Sequence, residues 1–412
     1  MTLSNIKTLD YNKIINYLLI GYAFSLPLSK ASTNIFETLI LLTWLLQGDW
    51  KSKYQLYKKN LLIIGFVALM IAYTISIPWA IDTEFALRYI AKFRHFLIIL
   101  AIYSSLDKDF VKRILSAFLI GMFLSEIMSY GIYFELWHYK NILPTDPSPF
   151  MSHVDYSVYL AFTSVLLLSR IIDNTENNIK IKIGYALFFI SATSNLFING
   201  GRTGQVTLII LIYISVLLSF KHKLKALVTS TLLITTIFTL AYNFSPNFKQ
   251  RLIQGSEGIS NMIYKNNYTS DGFNQRVSLW IVGIDNFQDH FFIGNGLGND
   301  TKEIKYYAQK RGFDPEFLSK FGDNHNMFLI VALQIGIIGL FIMIFIFYAI
   351  FTLKFNSNMH KILNLTFIVG FFLWSMGNTT FHTMNPMIFF ALFAGLFNKI
   401  SAIESANIKI KV

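Results

Sequence analysis

The sequence predicts an all-α, polytopic transmembrane helical bundle of about twelve spans. Of the 412 residues, 54% are hydrophobic and only 14% are charged, and the mean hydropathy is +0.48. A water-soluble domain cannot bury that much apolar surface. Long apolar runs recur along the whole chain, and each can cross a hydrocarbon core of roughly 30 Å as a helix. The runs lack polar alternation, and only a helix satisfies the backbone of a continuous apolar segment in lipid.

The apolar runs define the expected spans in chain order. They are 14–29, 33–48, 61–79, 88–104, 112–136, 153–169, 183–199, 204–220, 226–243, 325–350, 362–378 and 382–398. One long hydrophilic segment separates the ninth span from the tenth. We therefore expect residues 1–243 to hold spans 1–9, residues 244–324 to form a long loop with amphipathic helices, and residues 325–412 to hold spans 10–12.

The basic residues predict the orientation of this bundle. If the N-terminus is cytoplasmic, the inner segments hold 20 of the 35 Lys and Arg, as the positive-inside rule requires. Residues 244–324 then lie outside, with nine basic and nine acidic residues, and both termini lie in the cytoplasm. The net charge of +12 is therefore expected to contact membrane lipids, and no nucleic-acid partner is indicated.

A tight turn places one arginine at the outer membrane boundary. The sequence Asn199-Gly-Gly-Arg-Thr-Gly204 joins two spans, so Arg202 lies at the end of a membrane helix. Its glycines let the backbone approach a ligand or another helix closely. An outward-facing arginine in a short loop opposes the charge bias of the other loops. That opposition favours a functional Arg202 over an anchor to lipid headgroups.

The long loop contains a second candidate, Arg276. Apolar residues recur at helical spacing between residues 273 and 287, at Val277, Trp280, Ile281, Ile284 and Phe287. They predict a helix that Ser270 or Asp271 caps and that lies at the membrane surface. Arg276 would then lie near the level of the lipid phosphates. An earlier amphipathic piece, residues 248–263, is expected only to pack.

A third basic group begins at Arg88. Arg88, Lys92 and His95 follow i, i+4, i+7 spacing and would share one face of a helix that enters from outside. Glu84 can pair with Arg88, and this pairing and ligand binding both remain open. Three acidic residues in or near the spans are expected to neutralise such cations: Glu37, Glu126 and Asp155.

His325 begins the tenth span, in the stretch Phe321-Gly-Asp-Asn-His-Asn-Met-Phe-Leu329. The span is expected to run unbroken to Ile350. A titratable side chain at the edge of the membrane is costly unless it has a role. Asp323 and Asn324 are near enough in sequence to orient its imidazole ring.

No motif predicts a metal or a cofactor. The sequence Gly294-Asn-Gly-Leu-Gly298 is similar to a piece of a dinucleotide-binding loop, but no strand precedes it, so it predicts a flexible turn. The chain has no Cys and no phosphate-binding loop of the Walker type.

Three motifs, in this order, resemble the bacterial O-antigen ligase family with its related polymerases and protein O-oligosaccharyltransferases. They are Gly200-Gly-Arg202-Thr-Gly204, then Arg276-Val-Ser-Leu-Trp280 with Phe292-Ile-Gly-Asn-Gly-Leu-Gly298, then His325-Asn-Met-Phe-Leu-Ile-Val-Ala-Leu-Gln-Ile-Gly-Ile-Ile-Gly339. The resemblance implies a metal-independent, inverting glycosyltransferase of the GT-C type in the bacterial inner membrane, with a periplasmic active site. It implies Arg202, Arg276 and His325 as catalytic residues. The family often has Pro after the His before the glycine turn, but Phe291 follows His290 here, so no role is carried over to His290.

The chemistry of these residue types fits that reaction. Release of an undecaprenyl diphosphate needs its growing negative charge stabilised, and arginine does this with fixed bidentate donors. Arg202 and Arg276 would bind the diphosphate, with Arg88 and Lys92 as further substrate-binding cations. The acceptor hydroxyl must lose a proton, and an imidazole, with an ordinary pKa of about 6.5, suits a general base.

Several functions share this pattern. The first is an O-antigen ligase, whose donor is undecaprenyl-diphosphate-linked O-antigen and whose acceptor is the lipid A–core of lipopolysaccharide. An O-antigen polymerase and a protein O-oligosaccharyltransferase differ only in the acceptor. A lipid-linked oligosaccharide flippase is the alternative from another class, although the absence of a sequence repeat disfavours a carrier.

Overall fold

A computed structural model describes residues 10–80, 82–173, 178–265, 272–298 and 300–409. The α-helices in these ranges are α1 (Tyr11–Ser25), α2 (Lys30–Gln47), α3 (Trp50–Tyr57), α4 (Leu61–Ser76), α5 (Thr83–Lys92), α6 (Leu97–Ser105), α7 (Lys108–Tyr133), α8 (His153–Ile172), α9 (Ile179–Ile198), α10 (Arg202–Ser219), α11 (Lys223–Phe244), α12 (Pro246–Lys265), α13 (Gly272–Asp289), α14 (Asp300–Lys310), α15 (Pro315–Ser319), α16 (Met327–Phe351), α17 (Asn358–Gly377) and α18 (Met384–Lys409). The all-α prediction is confirmed for the described part of the chain.

Nine helices within the described ranges are long and apolar enough to cross a membrane. They are α4 with the 3-10 turn after it, α7 to α11, and α16 to α18. They confirm nine of the expected twelve spans, and the protein is a multi-pass membrane protein. The expected span 14–29 forms α1, which has 15 residues and covers only about 22 Å. The span 33–48 forms α2, which is less apolar because it carries Lys30 and Glu37.

The expected span 88–104 is wrong as one continuous helix. α5 ends at Lys92, residues Phe93–Phe96 form a 3-10 turn, and α6 has only nine residues. At this turn His95 points inward and its Nδ1 lies 2.6 Å from a carboxylate oxygen of Glu37, with both side chains 3% exposed. The turn thus places a buried polar pair where a straight apolar helix was expected.

α8 is the central helix of the bundle, and 89% of its membrane-spanning part is buried inside the protein. It packs most extensively against α9 and α10. The contact with α10 depends on small residues, because a Cβ added at Gly201 or Gly204 would collide with Ser157. Close approach through small and hydroxyl-bearing residues is typical of membrane helices. The glycines beside Arg202 therefore serve helix packing.

α16 is broken one third of the way along its length. Ile335 and Gly336 have non-helical backbone angles, with φ +67° and ψ −161° at Gly336. The prediction of an unbroken span to Ile350 is therefore wrong. A break frees backbone carbonyl and N–H groups, which need partners wherever water is excluded. Gly336 is required there, since its left-handed φ disfavours a side chain and an added Cβ would collide with the carbonyl of Phe292.

The segment 291–296 supplies those partners. Three backbone hydrogen bonds join it to the break: Asn295 N–H to Leu333 O at 2.7 Å, Gly296 N–H to Gln334 O at 3.1 Å, and Ile337 N–H to Phe291 O at 2.8 Å. A Cβ at Gly294 would lie 2.5 Å from Leu333 O, so the two backbones are in direct contact. The prediction of a flexible turn at Gly294–Gly298 is wrong, because this segment is packed into α16.

α13, α14 and α15 enclose a small hydrophobic core of their own. Its buried members are Leu279, Val282, Ile304, Tyr307, Ala308 and Leu318, with Phe313, Phe317 and Phe321 packed against them. Arg311 pairs with Asp285 at 2.5 Å across its surface. The expected helix 273–287 is confirmed as α13, and the expected caps Ser270 and Asp271 lie outside the described residues. This unit leads directly into the loop that carries His325.

Candidate functional site

His325 lies in the loop before α16 with its backbone in the left-handed region, at φ +49°. Its Nδ1 is 3.0 Å from a carboxylate oxygen of Asp323, and the two side chains are 30% and 23% exposed. The same carboxylate accepts the backbone N–H of His325 at 2.7 Å. These contacts confirm that Asp323 orients the ring. With Nδ1–H directed at Asp323, the other ring nitrogen, Nε2, is the one that can take a proton.

The contact with His325 changes the pKa of the Asp323 carboxyl. Its partial burial by itself raises the pKa of the carboxyl. The hydrogen bond and the charge of His325 outweigh burial and hold the pKa of Asp323 below its ordinary value. Asp323 is therefore ionised at neutral pH and faces the imidazole as an anion.

Asn324 has a different role from the one expected. Its amide nitrogen donates to Leu279 O at 2.6 Å, and the residue is 1% exposed. It therefore fastens the loop to α13 and does not orient the imidazole. The ring of Phe321, from the small core, meets the ring of His325 edge-on at 6.0 Å. Loop, α13 and core together fix the backbone around His325.

His382 is a neighbour that the sequence did not reveal. It lies between α17 and α18 and is 9% exposed. Burial lowers its pKa to about 3, although the charge of Asp323 acts in the opposite direction, so the ring is neutral at physiological pH. Its Nε2 lies 3.4 Å from the amide nitrogen of Gln334, one residue before the break in α16. His382 thus contacts α16, and the charge of Asp323 acts on its ring.

Lys92 reaches the same neighbourhood. Its Nζ donates to the backbone oxygen of His382 at 3.1 Å, and its charge contributes to lowering the pKa of that imidazole. The structure thus brings Lys92 into contact with His382, a ring on which the charge of Asp323 also acts. The ammonium group of Lys92 thus lies on the side of α5 that faces the candidate site.

Arg202 is the first residue of α10 and lines a cavity of about 260 Å³. Arg251 of α12 lines the same cavity, together with Gln254, Glu257, Gly258, Asn261 and Gly272. The expectation that residues 248–263 only pack is wrong, since α12 contributes a second guanidinium beside the first. The amphipathic pattern of residues 248–263 gives no sign of this cavity or of a role for Arg251.

Arg276 lies on the first turns of α13 and is half-buried. Two residues earlier, the buried Asn274 donates its amide to Gly258 O at 2.7 Å. That bond holds the start of α13 against α12, which lines the Arg202 cavity. α12 therefore links the two arginines: it lines the cavity of Arg202 and is bonded to the start of α13, which carries Arg276. α13 continues to Leu279, where Asn324 fastens the His325 loop.

His95 does not share a helix face with Arg88 and Lys92 as expected, whereas Arg88 and Lys92 both lie on α5 at i, i+4 spacing. Arg88 pairs with Glu84 at 2.9 Å, and the two side chains are 64% and 80% exposed. His95 lies beyond the end of α5, in the 3-10 turn, and pairs with Glu37. Of Arg88, Lys92 and His95, only Lys92 contacts His382.

The membrane acids differ in their partners. Glu37 confirms its expected role, since His95 lies 2.6 Å away and Arg94 lies 3.8 Å away. Asp155 accepts from the amides of two asparagines, Asn378 at 3.2 Å and Asn385 at 3.3 Å. For Glu126 the expectation of a cationic partner is wrong: within the described ranges no cation lies within 4.0 Å, and the carboxylate accepts a hydrogen bond from the hydroxyl of Ser191 at 2.7 Å.

Among the described residues, no group of three or more His, Asp or Glu is arranged to hold a metal ion. His290 contacts its own helix, with Nδ1 3.2 Å from the side-chain oxygen of Asn286. The site is therefore described by one imidazole–carboxylate pair, one neutral buried imidazole and several cations.

These features define a polytopic helical membrane protein with a basic, histidine-containing site at one end of its bundle. Residues 186–344 match the family model described as O-antigen ligase, and the chain carries a domain of that family. Members of it are membrane glycosyltransferases of the ligase and polymerase type that act on lipid-linked glycans. The matched residues include Arg202, Arg276, Asp323 and His325. No curated protein matches the chain.

The contact between Asp323 and His325 generates one prediction. Asp323→Asn should slow glycan transfer by about tenfold to a hundredfold, because a neutral amide no longer fixes the imidazole tautomer. The rate would be measured with purified protein at neutral pH. Asp285→Asn, which removes a carboxylate paired with Arg311, is the control. A rate equal to that of the wild-type protein would show that Asp323 is not needed to orient the imidazole.

Proposed function

We propose that this protein is an O-antigen ligase, which transfers polysaccharide from undecaprenyl diphosphate to lipid A–core in lipopolysaccharide biosynthesis. The observation that carries the proposal is the His325–Asp323 pair, held at a positive φ directly before α16. It lies inside the segment that matches the O-antigen ligase family model. An oriented imidazole with a carboxylate behind it is the arrangement that a general base requires.

The reaction assigns a role to each group. Nε2 of His325 takes the proton of the acceptor hydroxyl as the hydroxyl oxygen bonds to the anomeric carbon of the donor sugar. The bond from that carbon to the diphosphate oxygen breaks, and its electron pair leaves with the diphosphate. Attack from the face opposite the leaving group inverts the anomeric centre. Arg202 and Arg276 stabilise the diphosphate charge, and Lys92 adds a further cation.

The packing of the site supports this division of roles. Asp323 is an anion and would repel a diphosphate in open contact. Its carboxylate is instead engaged by the ring and the backbone N–H of His325. His382 adds no charge, because burial keeps its imidazole neutral. Neither residue therefore presents an unpaired negative charge to an anionic carrier.

We further propose that this site is periplasmic and that both termini are cytoplasmic. The support is the distribution of the basic residues, of which 20 out of 35 fall in the segments assigned to the inner side. A bacterial inner membrane is the place where an undecaprenyl-diphosphate donor and a lipid A–core acceptor meet.

An O-antigen polymerase could use the same base and cations with another carrier-linked glycan as acceptor. The lipopolysaccharide gel pattern of a deletion strain distinguishes the two enzymes. We expect core without attached O-antigen, since a ligase makes that bond. One attached repeat would identify a polymerase, and long attached chains of normal pattern would exclude both. Complementation by the wild-type gene is the control.

The arginines can be tested in the same complemented strain. Arg202→Lys and Arg276→Lys should each reduce attached O-antigen by roughly tenfold to a hundredfold, because an ammonium group does not reproduce the planar fork that binds a diphosphate. Arg311→Lys is the matched control, since Arg311 is engaged by Asp285 on the outer surface of the α13–α15 unit. Normal attachment by both lysine variants at equal protein level would refute bidentate recognition.

His325 gives the sharpest test of the mechanism. His325→Ala should lower transfer about a hundredfold or more while the purified protein still binds the undecaprenyl-diphosphate donor, because a base acts on the acceptor. His325→Gln keeps a polar group of similar reach but cannot take a proton at neutral pH, so it should be equally inactive. His290→Gln, at the end of α13, is the control. Substantial turnover by His325→Gln would demote His325 to a residue that positions the acceptor.

A further inference from the structure

Another cavity lined by charged residues, distinct from the Arg202 cavity, lies at the opposite end of the bundle from His325. It has a volume of about 340 Å³ and is formed by α7, α8, α9, α17 and α18. Its three Lys and Arg residues are Lys108, Lys112 and Arg170. Arg170 stands in the last turn of α8, about 26 Å along the helix from His153 at 1.5 Å per residue. The first turn of α8 packs against the Arg202 turn, so the two cavities belong to opposite membrane faces.

Arg170 is the central residue of this cavity. It is only 8% exposed, yet its guanidinium is held by neutral groups: the hydroxyl of Tyr185 at 3.1 Å and that of Ser116 at 3.3 Å. Its charge also lies over the ring of Tyr185, 5.4 Å from the centroid. Within the described ranges no carboxylate lies within 4.0 Å of it. A buried charge without a counter-ion is costly, so the site favours an anionic ligand.

The other titratable groups of the cavity do not cancel this charge. Glu404 is occupied by Nδ1 of His360 at 2.5 Å and by the backbone N–H of Ser357 at 3.1 Å. Asp173 is the remaining carboxylate of the lining. Three cations thus face one carboxylate that is not paired with His360.

The charged cavity continues into an apolar groove. The groove has a volume of about 350 Å³ and shares two residues, Arg170 and Tyr185, with the cavity. Its other lining residues are Ser116, Leu119, Ile120, Phe123, Gly184 and Phe188. It therefore runs between α7 and α9, away from the charged end and along the membrane-spanning part of both helices. A basic pocket that opens onto an apolar channel has the two chemistries of a phospholipid in the right order.

We propose that this cavity and groove bind an anionic phospholipid of the leaflet opposite the His325 site. The phosphate lies against Arg170, Lys108 and Lys112, and one acyl chain occupies the groove beside Phe123 and Phe188. The lipid would provide the counter-charge for Arg170 and would join α7, α8 and α9 at that face. A free phosphate would use the cations but not the groove.

Two adjacent lysine and arginine positions make a matched test. Lys112 and Arg113 are both exposed and both on α7, but only Lys112 lines the cavity. The full-length protein, stripped of lipid in detergent, would be titrated with dioleoyl phosphatidylglycerol and the first bound lipid followed by native mass spectrometry. Lys112→Gln should weaken that binding about fivefold, the effect of one basic residue near a lipid phosphate. Arg113→Gln should leave it unchanged.

Further binding measurements distinguish a bound lipid from other anions. A Cβ at Gly184 meets no atom within 4 Å, so Gly184→Leu should fill the groove without disturbing the helix contacts and should weaken lipid binding. Phosphatidylcholine should bind at least fivefold more weakly than phosphatidylglycerol, and millimolar inorganic phosphate should not displace the lipid. Equal effects of Lys112→Gln and Arg113→Gln, equal binding of the two lipids, unchanged binding by Gly184→Leu, or displacement by inorganic phosphate would each overturn the proposal.

Discussion

The insertion of segment 291–296 into the break of α16 is the contact on which the arrangement of the site depends. A membrane helix that loses its regular hydrogen bonds at Ile335 and Gly336 must find other partners, since lipid offers none. The partners come from the chain just after α13. α13 is therefore fixed to α16 at one end by this segment and, near its middle, by the bond from Asn324 to Leu279. His325 directly follows Asn324 in the chain, so the loop that carries it is anchored to α13 by this bond.

The break in α16 also explains how the turn before α18, which is remote in sequence from His325, contributes His382 to the site. Gln334 is the last residue with helical backbone before the break, and its side chain reaches His382. His382 in turn receives Lys92 on its backbone oxygen. α5, α16 and the turn before α18 therefore converge on one buried imidazole. Its neutrality follows from burial, and a neutral ring can accept a hydrogen bond from Gln334 that an imidazolium could not.

Hydropathy predicted most of the bundle because a span needs only length and apolarity, and both are local properties of the sequence. The sequence could not predict the break at Gly336, since the glycine lies within an apolar run and its φ depends on the carbonyl of Phe292. It could not predict the pairing of His95 with Glu37, because a buried polar pair of this kind depends on two helices far apart in the chain. Asp323 was accessible from sequence, since a side chain two residues away can reach the ring. Arg251 and His382 were not, because cavities and turns between helices carry no periodic signal.

The placement of charge at the site follows from the competing demands of binding and catalysis. A diphosphate carrier needs cations, whereas a general base needs a neutral imidazole and is helped by an anion behind it. The fold separates these demands in space. Asp323 is turned toward the ring and backbone of His325, so its charge acts on Nδ1. Arg202 lies at the start of α10 and Arg276 at the start of α13, whereas the loop is fastened further along α13, at Leu279. In the proposed mechanism Asp323 therefore assists the base while the two arginines bind the donor from the starts of other helices.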